Sequence, residues 1–405
     1  MRIDAVADEV LGAIRKRGTY RRMRVLDGAQ GPRMNVDGRE VLLFAGSNYL
    51  DLAHHEAVVE ATVRAARESG CAAGGSRLIS GNLGGHEALE SELASFFARE
   101  AGLAFNTGYM ANLGVIQALL GPGDLLVSDA LSHASIIDGA RLSRAEVRVF
   151  PHGDVSALAQ ILDETANCFG RVLVAVDGVY SMDGDLAPVA DIVRVAHARN
   201  AMVLLDDAHG TGTLGAHGRG SAEVAGVTQS VDILMGTLGK SLGSFGAFVV
   251  GSHKLRELLV NTARSFIFSC ALSPPQVAAA RAALEIVREE PQRRQALARN
   301  ADRLRQRLAG HGISTAPSTT HILPVVLGDN ATTMAVCEAL LECGFYAQGI
   351  RHPSVPKGTA RLRVTPMATH SVAEIDAVGD AIAEQVAKYP AESIPALQSQ
   401  KASNL

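Results

Sequence analysis

The sequence lacks the features that mark several specialised protein classes. It has no Trp, only 4% aromatic residues, and five cysteines that are widely spaced, odd in number and without a CxxC pair, which argues against a disulfide framework or zinc ribbon. No apolar run approaches the roughly 18–20 residues that span a bilayer. The N-terminal MRIDAVADEVLGAIRKR mixes acids and bases where a signal peptide needs an apolar stretch. The formal charge of −4 provides no general field for nucleic acid or an anionic membrane. We therefore expect a cytoplasmic protein that binds neither nucleic acid nor membrane.

Short apolar runs separated by helix-like stretches follow one another through the first two thirds of the chain. Runs that are apolar throughout, rather than alternating, predict strands buried on both faces of a parallel sheet that helices cover. They lie at 103–108, 124–129, 147–150, 171–178, 201–207, 231–236 and 246–251, and we expect the last to close the sheet. After an N-terminal segment, 1–54, this pattern predicts a large doubly wound α/β domain over 55–285.

The pattern changes in the last third of the chain. A long charged helix is predicted over 282–312, followed by strand 321–328, helix 331–344, strand 361–366 and helix 371–388. This alternation predicts a small α+β domain over 286–390. The polar tail 391–405 is expected to be flexible.

The predicted carboxyl ends of the strands carry the polar residues. Ligands of open parallel sheets bind beyond these ends. Asp206 follows three buried aliphatic residues, where a charge needs a cationic partner such as a pyridinium nitrogen, although a helix N-cap or a structural salt bridge would also explain it. A metal site built from Asp206, Asp207, His209 and His217 is a weaker alternative because the spacing fits no standard ligand pattern, and we predict no metal. The turn at 107–112 could offer helix N-terminal amides to a phosphate, or simply join a strand to a helix.

The stretch MGTLGKSLGSFGAFVV (235–250) is the most informative one. Lys240 lies among glycines and small residues just after a predicted strand. Desolvation there would favour the neutral amine that Schiff-base chemistry needs, whereas the alternative is an ordinary surface charge. Thr237, three residues earlier, could bind a phosphate or the lysine.

These features occur together, in order, within long strings that resemble the α-oxoamine synthase family of fold type I pyridoxal-phosphate (PLP) enzymes. The likeness covers nearly the whole chain. It includes GREVLLFAGSNYLDLAHH (38–55), GGSRLISGNLGGHEALESELASFF (74–97), DGVYSMDGDLAPV (177–189), DDAHGTGTLG, TLGKSLGSFGA and GTARLRVTPMATHS. The resemblance implies an aspartate aminotransferase-like fold, PLP as cofactor, and a homodimer with the active site at its interface, where the neighbour contributes residues around Ser269.

The resemblance also implies a role for each matching cofactor residue. Lys240 would bind PLP covalently, Asp206 would pair with the ring nitrogen and keep it protonated, and His133 would stack on the ring. His209 would contact the phenolic oxygen, with Ser181 nearby. The phosphate would be held by Gly108, Tyr109 and Thr237.

Substrate residues follow from the same resemblance. Arg363 would bind the amino-acid carboxylate, a bidentate task that suits a guanidinium group, with Asn48 beside it. Arg361 and Arg351 are the next candidates for this task. The acyl-substrate side would be lined by Arg21, Arg351 and Ser354. The implied reaction is decarboxylative condensation of glycine or alanine with an acyl-CoA to give an α-oxoamine.

Three departures from the family pattern lie near the predicted substrate channel: GCAAGGSR (70–77), Asp51 where a glycine is usual, and MATHS (367–371). They leave the acyl group and the amino acid open. They also leave open an enzyme of the same fold that only exchanges or inverts the Cα hydrogen. Alternatives outside the class are a metal hydrolase that uses Asp206 and His209, and a non-catalytic dimeric binding protein.

Overall fold

A computed structural model describes residues 2–389 of the chain. Its strands are β1 Leu26–Asp27, β2 Arg33–Val36, β3 Arg39–Leu43, β4 Ala101–Phe105, β5 Leu125–Asp129, β6 Glu146–Phe150, β7 Val172–Asp177, β8 Met202–Asp206, β9 Ile233–Thr237, β10 Ala247–Gly251, β11 Leu323–Gly328, β12 Phe345–Tyr346, β13 Gln348–Ile350 and β14 Ala360–Val364. Its helices are α1 Ile3–Lys16, α2 Glu56–Ser69, α3 Gly84–Phe96, α4 Gly108–Leu119, α5 Ala134–Ser143, α6 Val155–Glu164, α7 Val189–His197, α8 Ser221–Val224, α9 His253–Thr262, α10 Arg264–Ile267, α11 Pro274–Glu289, α12 Pro291–Gly310, α13 Asn330–Glu342 and α14 Val372–Lys388. The tail predicted over 391–405 lies outside the described residues.

The chain divides into two compact units. Within the described residues, the larger unit comprises 47–181 and 185–297, and the smaller comprises 2–46, 182–184 and 298–389. The boundaries predicted near 54 and 285 stay a prediction.

The larger unit is built on a seven-stranded sheet with the order β4-β10-β9-β8-β7-β5-β6. All seven runs predicted as strands form strands. The four pairings from β9 across to β6 are parallel, as expected. Most of these strands are buried along their whole length because helices cover the sheet, among them α4 and α9 and also α3, α6 and α7. The continuous apolar runs therefore correctly predicted strands that are buried on both faces of the sheet.

One prediction about this sheet is wrong. Strand β10 does not close it but lies between β4 and β9, antiparallel to both. The reason is the connection: residues 238–246 join β9 to β10 without a crossover helix, so the chain reverses direction and pairs with the strand it has just left.

The smaller unit contains two sheets, β11-β14-β13 and β1-β2-β3-β12. Its main core packs α12, α13 and α14 against β11 and β14. The strands β11 and β14 and the helices α13 and α14 were predicted. The sheet formed by β1, β2, β3 and β12 was not, because its strands are only two to five residues long and half exposed.

The long helix predicted over 282–312 is also wrong in part. It is two helices, α11 and α12, which are separated at Glu290 (φ −114°, ψ 64°). Pro291 explains the break because proline disfavours the helical conformation of the residue before it.

The carboxyl ends of the strands assemble the polar residues of the larger unit. Asp129, Asp177, Asp206 and Thr237 end β5, β7, β8 and β9, which are neighbours in the sheet. Strand β4 runs in the same direction as β9, so the turn at 106–107 lies at the same end. Among residues 2–389, no helix is both long and apolar enough to cross a membrane.

Candidate active site

Lys240 is held in a closed turn between β9 and β10. The turn is fixed by backbone hydrogen bonds from Leu238 N to Gly246 O (2.9 Å) and from Gly243 N to Lys240 O (2.9 Å). The Ser241 hydroxyl donates to the carbonyl of Thr211 in the loop after β8. Lys240 is therefore part of a rigid, half-buried turn, as its small neighbours predicted.

A chain of hydrogen bonds leads from Lys240 into the interior. Its Nζ lies 2.8 Å from His209 Nε2, and His209 Nδ1 lies 2.7 Å from the hydroxyl of Tyr49. His209 and Tyr49 are buried. When the lysine is protonated and donates to Nε2, the ring proton of His209 lies on Nδ1 and is donated to Tyr49.

Asp206 is buried at the end of β8 and is held by two donors. Its Oδ2 accepts a hydrogen bond from Asn112 Nδ2 (2.7 Å), and its Oδ1 accepts one from the amide of Ala208 (3.1 Å). Asn112 also donates to Ser135 Oγ at 2.8 Å, and Ser135 Oγ lies 2.7 Å from His133 Nδ1. The two residues predicted to contact the cofactor ring, Asp206 and His133, are therefore joined by one polar network.

His133 precedes α5 and caps it. Its amide donates to the buried carboxyl of Asp177 (3.0 Å). Burial lowers the pKa of His133, so its imidazole is neutral at physiological pH, which suits an aromatic ring used for stacking. Burial, followed by the nearby charge of Asp206, raises the pKa of Asp177 well above its ordinary range.

The residues predicted to hold a phosphate lie together at the start of α4. Thr107 caps the helix by accepting from the amide of Met110 (3.1 Å). Gly108 and Tyr109 are the first two residues of the helix, whose amides have no intrahelical acceptor. A Cβ at Gly108 would lie 2.9 Å from Thr237 Cγ2, so glycine permits the close approach of the two. The Tyr109 side chain donates its hydroxyl to Asp138.

This set of groups fits PLP. Helix N-terminal amides beside Thr237 suit the phosphate, the buried Asp206 carboxylate suits a protonated ring nitrogen, and a neutral His133 suits the ring face. Lys240 provides the amine that PLP enzymes use to bind the aldehyde.

Two further predicted residues of the larger unit lie near this network in sequence. Asn48 uses Oδ1 to accept from the amides of Leu52 (3.0 Å) and Ala53 (3.2 Å), and Nδ2 to donate to Asp51 (3.1 Å). Asp51 has a left-handed φ of 56°, the conformation that makes glycine usual at this position. Ser181 lies half-buried in the turn after β7. The substrate role of Asn48 and the cofactor role of Ser181 stay predictions.

The remaining predicted residues belong to the smaller unit. Arg363 is buried in β14, opposite Pro324 and Gln348. Arg21 donates to Ser354 Oγ at 3.4 Å, and Arg351 donates to the carbonyls of Gly18 (3.0 Å) and Tyr20 (2.6 Å).

In the smaller unit, Arg21, Arg351 and Ser354 therefore form one group, and Arg363 in β14 forms the second candidate position. The substrate roles of all four residues stay predictions. Arg361, another candidate for binding the amino-acid carboxylate, already has partners within the protein. It forms an ion pair with Asp183 and donates to the carbonyls of Met182 (3.2 Å) and Thr359 (2.9 Å).

The alternative metal site is not assembled. His217 pairs with Glu223 (2.5 Å), and Asp207 accepts from the amide of Ser221 (2.6 Å). Among the residues that the structure describes, no group of three or more His, Cys, Asp or Glu side chains could hold a metal ion.

Sequence reasoning missed Tyr49, Asn112 and Ser135. Asn112 carried a signal, because a buried amide in the mostly apolar helix α4 needs a polar partner. Tyr49 lies in the string SNYLDL, which contributed to the family resemblance without a role for its hydroxyl.

Comparisons with known proteins give a consistent result. The family "Aminotransferase class I and II" matches residues 39–382. The 8-amino-7-oxononanoate synthase of Geotalea daltonii is 48% identical over 377 residues, covering 93% of this chain and 96% of the relative. That of Geobacter sulfurreducens is 49% identical over 369 residues, covering 90% and 94%.

Comparison with solved structures points to enzymes of the same kind. A Sphingomonas wittichii serine palmitoyltransferase superposes with a TM-score of 0.89 at 35% identity, covering 95% of this chain and 97% of that one. A serine palmitoyltransferase from S. paucimobilis, solved with a bound PLP–myriocin aldimine, has a TM-score of 0.90 at 32% identity and covers 96% and 99%. The 8-amino-7-oxononanoate synthase from Francisella tularensis has a TM-score of 0.75 at 25% identity and covers 86% and 98%.

The comparisons confirm the predicted fold type, the PLP cofactor and the acyl-transferring type of enzyme. Within the family, DDAHGTG and DGDLAPV resemble 8-amino-7-oxononanoate synthases, and SDALSHASIIDGARL resembles glycine C-acetyltransferases equally well. The curated relatives above carry the first of these names. The chain therefore belongs to the class I and II aminotransferase family of PLP-dependent enzymes, in its α-oxoamine synthase branch.

Proposed function

We propose that this enzyme condenses alanine with the thioester of a seven-carbon dicarboxylic acid, with loss of CO2, to give 8-amino-7-oxononanoate. The observation that carries the proposal is the hydrogen-bonded chain Tyr49–His209–Lys240 beside the buried Asp206, in a chain 48% identical to 8-amino-7-oxononanoate synthases.

The relatives' product defines the two substrates by its carbon skeleton. Cutting the bond between the oxo carbon and the amino carbon leaves a two-carbon fragment, CH(NH2)CH3, which is alanine without its carboxylate. The other fragment is a seven-carbon acyl group with a terminal carboxylate. Glycine would instead leave a one-carbon fragment, so the relatives' name favours alanine over glycine.

Bound PLP supplies an electron sink for the charge that develops at the amino-acid Cα. The chain's own residues hold the proton and the geometry. Lys240 Nζ takes the Cα proton, and its hydrogen bond to His209 directs the nitrogen. His209 is in turn oriented by Tyr49. Asp206, which accepts hydrogen bonds from Asn112 and from the amide of Ala208, would pair with the protonated ring nitrogen of the cofactor.

Substrate binding is assigned to basic groups of the smaller unit. Arg363 binds the amino-acid carboxylate, because a buried guanidinium can grip it with two parallel hydrogen bonds. Arg21 and Arg351, with Ser354, bind the distal carboxylate of the acyl group, which a dicarboxylic substrate would present to them.

We assign a homodimer to this enzyme on the basis of an exposed apolar patch in the larger unit. Ile79 is 85% and Phe268 is 72% exposed, and their segments adjoin through the bridge between Ser76 and Cys270. Exposed apolar residues on adjoining segments favour an interface, which would also cover Ser269. A cytoplasmic location is supported by the five free thiols, four of them exposed, since reducing compartments keep thiols free.

The test is hydrogen exchange in D2O followed by acyl transfer. The PLP-loaded enzyme is incubated with alanine, glycine, serine or glutamate, with and without a panel of acyl thioesters. We expect deuterium at Cα of alanine without thioester, and equal amounts of free thiol and CO2 once the dicarboxylic thioester is added. Thiol release without CO2 would indicate plain thioester hydrolysis.

Two other outcomes would change the assignment. Exchange without any acyl transfer would favour an enzyme that only exchanges or inverts the Cα hydrogen. Turnover of glycine with a short acyl thioester, but not of alanine, would favour glycine C-acetyltransferase.

A further inference from the structure

His152 lies between two carboxylates just beyond the end of β6. Its Nδ1 is 2.9 Å from Asp129 Oδ1, and its Nε2 is 2.8 Å from Asp185 Oδ2. The Asp129 side chain is fully buried, and those of Asp185 and His152 are 16% and 28% exposed. Both ring nitrogens face an acceptor, so both must carry a proton for the two contacts to be hydrogen bonds, and the ring is then an imidazolium.

The first carboxylate anchors the segment that leads to His133. Asp129 ends β5 and also accepts from the amides of Leu131 (2.8 Å) and Gly153 (2.8 Å). The next amide along, that of Ser132, donates to the backbone carbonyl of Asp129 (3.1 Å). The path from Asp129 to His133 is therefore a short turn whose base is this carboxylate.

The second carboxylate anchors the turn after β7. The amide of Tyr180 donates to the carbonyl of Asp185 (3.1 Å), which closes the turn that begins with Tyr180 and Ser181. The ring of Tyr180 meets the His152 ring edge-on at 4.4 Å. His152 is thus in contact with both ends of this turn.

We propose that His152 is a positioning residue that, as an imidazolium, ties the end of β5 to the turn after β7 and so holds His133 and Ser181 in place for the cofactor. The inference rests on the proposed cofactor roles of these two residues. His152 itself touches neither the substrate nor the reacting atoms.

The charge balance supports this role. The titratable groups facing His152 in the described residues are Asp129 from β5 and Asp185 and Tyr180 from the turn after β7. Burial alone would lower the pKa of His152, but its hydrogen bonds to the two carboxylates outweigh burial and raise that pKa to about 10. The imidazolium therefore persists across the physiological range.

The main experiment compares His152→Gln with a matched control, His197→Gln. His197 also pairs with an aspartate, Asp232, at 3.0 Å, but Asp232 precedes β9 and so lies at the other end of the sheet. PLP dissociation constants are measured by equilibrium titration, and amide hydrogen exchange is followed at 131–133 and 180–181. We expect about tenfold weaker PLP binding and faster exchange in His152→Gln, with less than twofold change in His197→Gln.

Nuclear magnetic resonance of the ring nitrogens tests the charge directly. The wild-type protein should show a doubly protonated histidine at pH 8.5 whose signal is absent from His152→Gln. The stability that this charge contributes should be complete below about pH 6.5, the ordinary histidine value, and should be lost as the pH rises to about 10. The difference in melting temperature between wild type and His152→Gln should shrink over that range.

A milder variant covers the case in which His152→Gln does not fold. Asp185→Asn removes the charge of the partly exposed arm and leaves the pair between His152 and Asp129, so PLP binding should weaken in the same direction but less. Equal PLP affinity in His152→Gln and His197→Gln, or in Asp185→Asn and wild type, would overturn the inference while the proposed function stands. Failure of the wild type to bind PLP would overturn both.

Discussion

Replacing Asp206 by asparagine should separate the stability of the site from its chemistry. Both oxygens of the Asp206 carboxylate accept hydrogen bonds, from Asn112 Nδ2 (2.7 Å) and from the amide of Ala208 (3.1 Å). An amide at position 206 has only one acceptor atom, so one of the two donors loses its partner at a cost of about 1–3 kcal/mol.

Rotation of the Asn112 amide does not remove that cost. Asn112 Oδ1 is buried without a hydrogen-bond partner, and a half-turn would let it accept from the new amide. The same rotation breaks the hydrogen bond from Asn112 Nδ2 to Ser135 Oγ (2.8 Å), so one hydrogen bond is lost in either arrangement. We therefore expect Asp206→Asn to fold with a loss of about 1–3 kcal/mol in the free energy of unfolding.

The chemistry should not survive in the same way. Without the carboxylate, the ring nitrogen of PLP loses a charge-assisted hydrogen bond worth about 1.5–3 kcal/mol, which corresponds to roughly 10- to 150-fold. We expect at least this loss in the rate of Cα hydrogen exchange, measured in D2O with alanine.

The double variant Asp206→Asn/Asn112→Asp is the matched control. It restores an amide-to-carboxylate hydrogen bond between the two positions but moves the charge to α4, so melting temperature should recover while exchange stays slow. Wild-type exchange rates in Asp206→Asn, or recovery of exchange in the double variant, would refute the assigned role of Asp206.

Three further predictions follow from single side chains. After reduction with borohydride, intact mass should show PLP attached covalently to the wild type and to Lys254→Ala, a control at an exposed lysine, but not to Lys240→Ala. Attached PLP in Lys240→Ala would show that another lysine provides the amine. In denaturant unfolding, Gly220→Ala should destabilise the protein by at least ~2 kcal/mol more than Gly226→Ala. Both glycines have a positive φ, but only a Cβ at Gly220 would meet a buried carboxylate oxygen, Asp207 Oδ2, at 1.8 Å. Equal losses of stability would contradict this clash. Arg363→Lys should raise KM for the amino acid by about 10- to 100-fold and leave the PLP affinity unchanged, because lysine keeps the charge but cannot form two parallel hydrogen bonds to a carboxylate. An unchanged KM would show that Arg363 does not bind the amino-acid carboxylate.

The strands of the large sheet were predictable because their environment repeats along the chain. A strand buried on both faces must be apolar at every position, and β5, β7, β8 and β9 show this directly in the sequence. The direction of β10 was not predictable from its own residues, because burial is the same whichever way a strand runs. Only the length and content of the connection carry that information.

The residues of the candidate site also divide into those that the sequence could identify and those that it could not. The family resemblance gave His133 its role. Lys240 and Asp206 were also identifiable as candidates on their own, because a polar group at a buried strand end, or a lysine among small residues, violates the local pattern and requires an explanation. Tyr49 was not, because its partner is far away in sequence. Ser135 was not, because its link to Asp206 runs through Asn112 on another helix. The hydrogen bond between Tyr49 and His209 joins positions 160 residues apart, and no local pattern reports it.

The three acids at the ends of β5, β7 and β8 show how the fold accommodates this chemistry. Asp129, Asp177 and Asp206 are all buried, and Asp177 lies directly opposite Asp206 in the sheet register. Three unpaired charges so close together would be costly to bury. The structure provides a different environment for each. Asp129 faces the His152 ring, burial and the nearby Asp206 raise the pKa of Asp177 well above its ordinary range, and Asp206 accepts hydrogen bonds from two amide donors. Within the described residues, the Asp206 carboxylate has amide donors and no ion-pair partner, which is the arrangement that suits pairing with a protonated ring nitrogen.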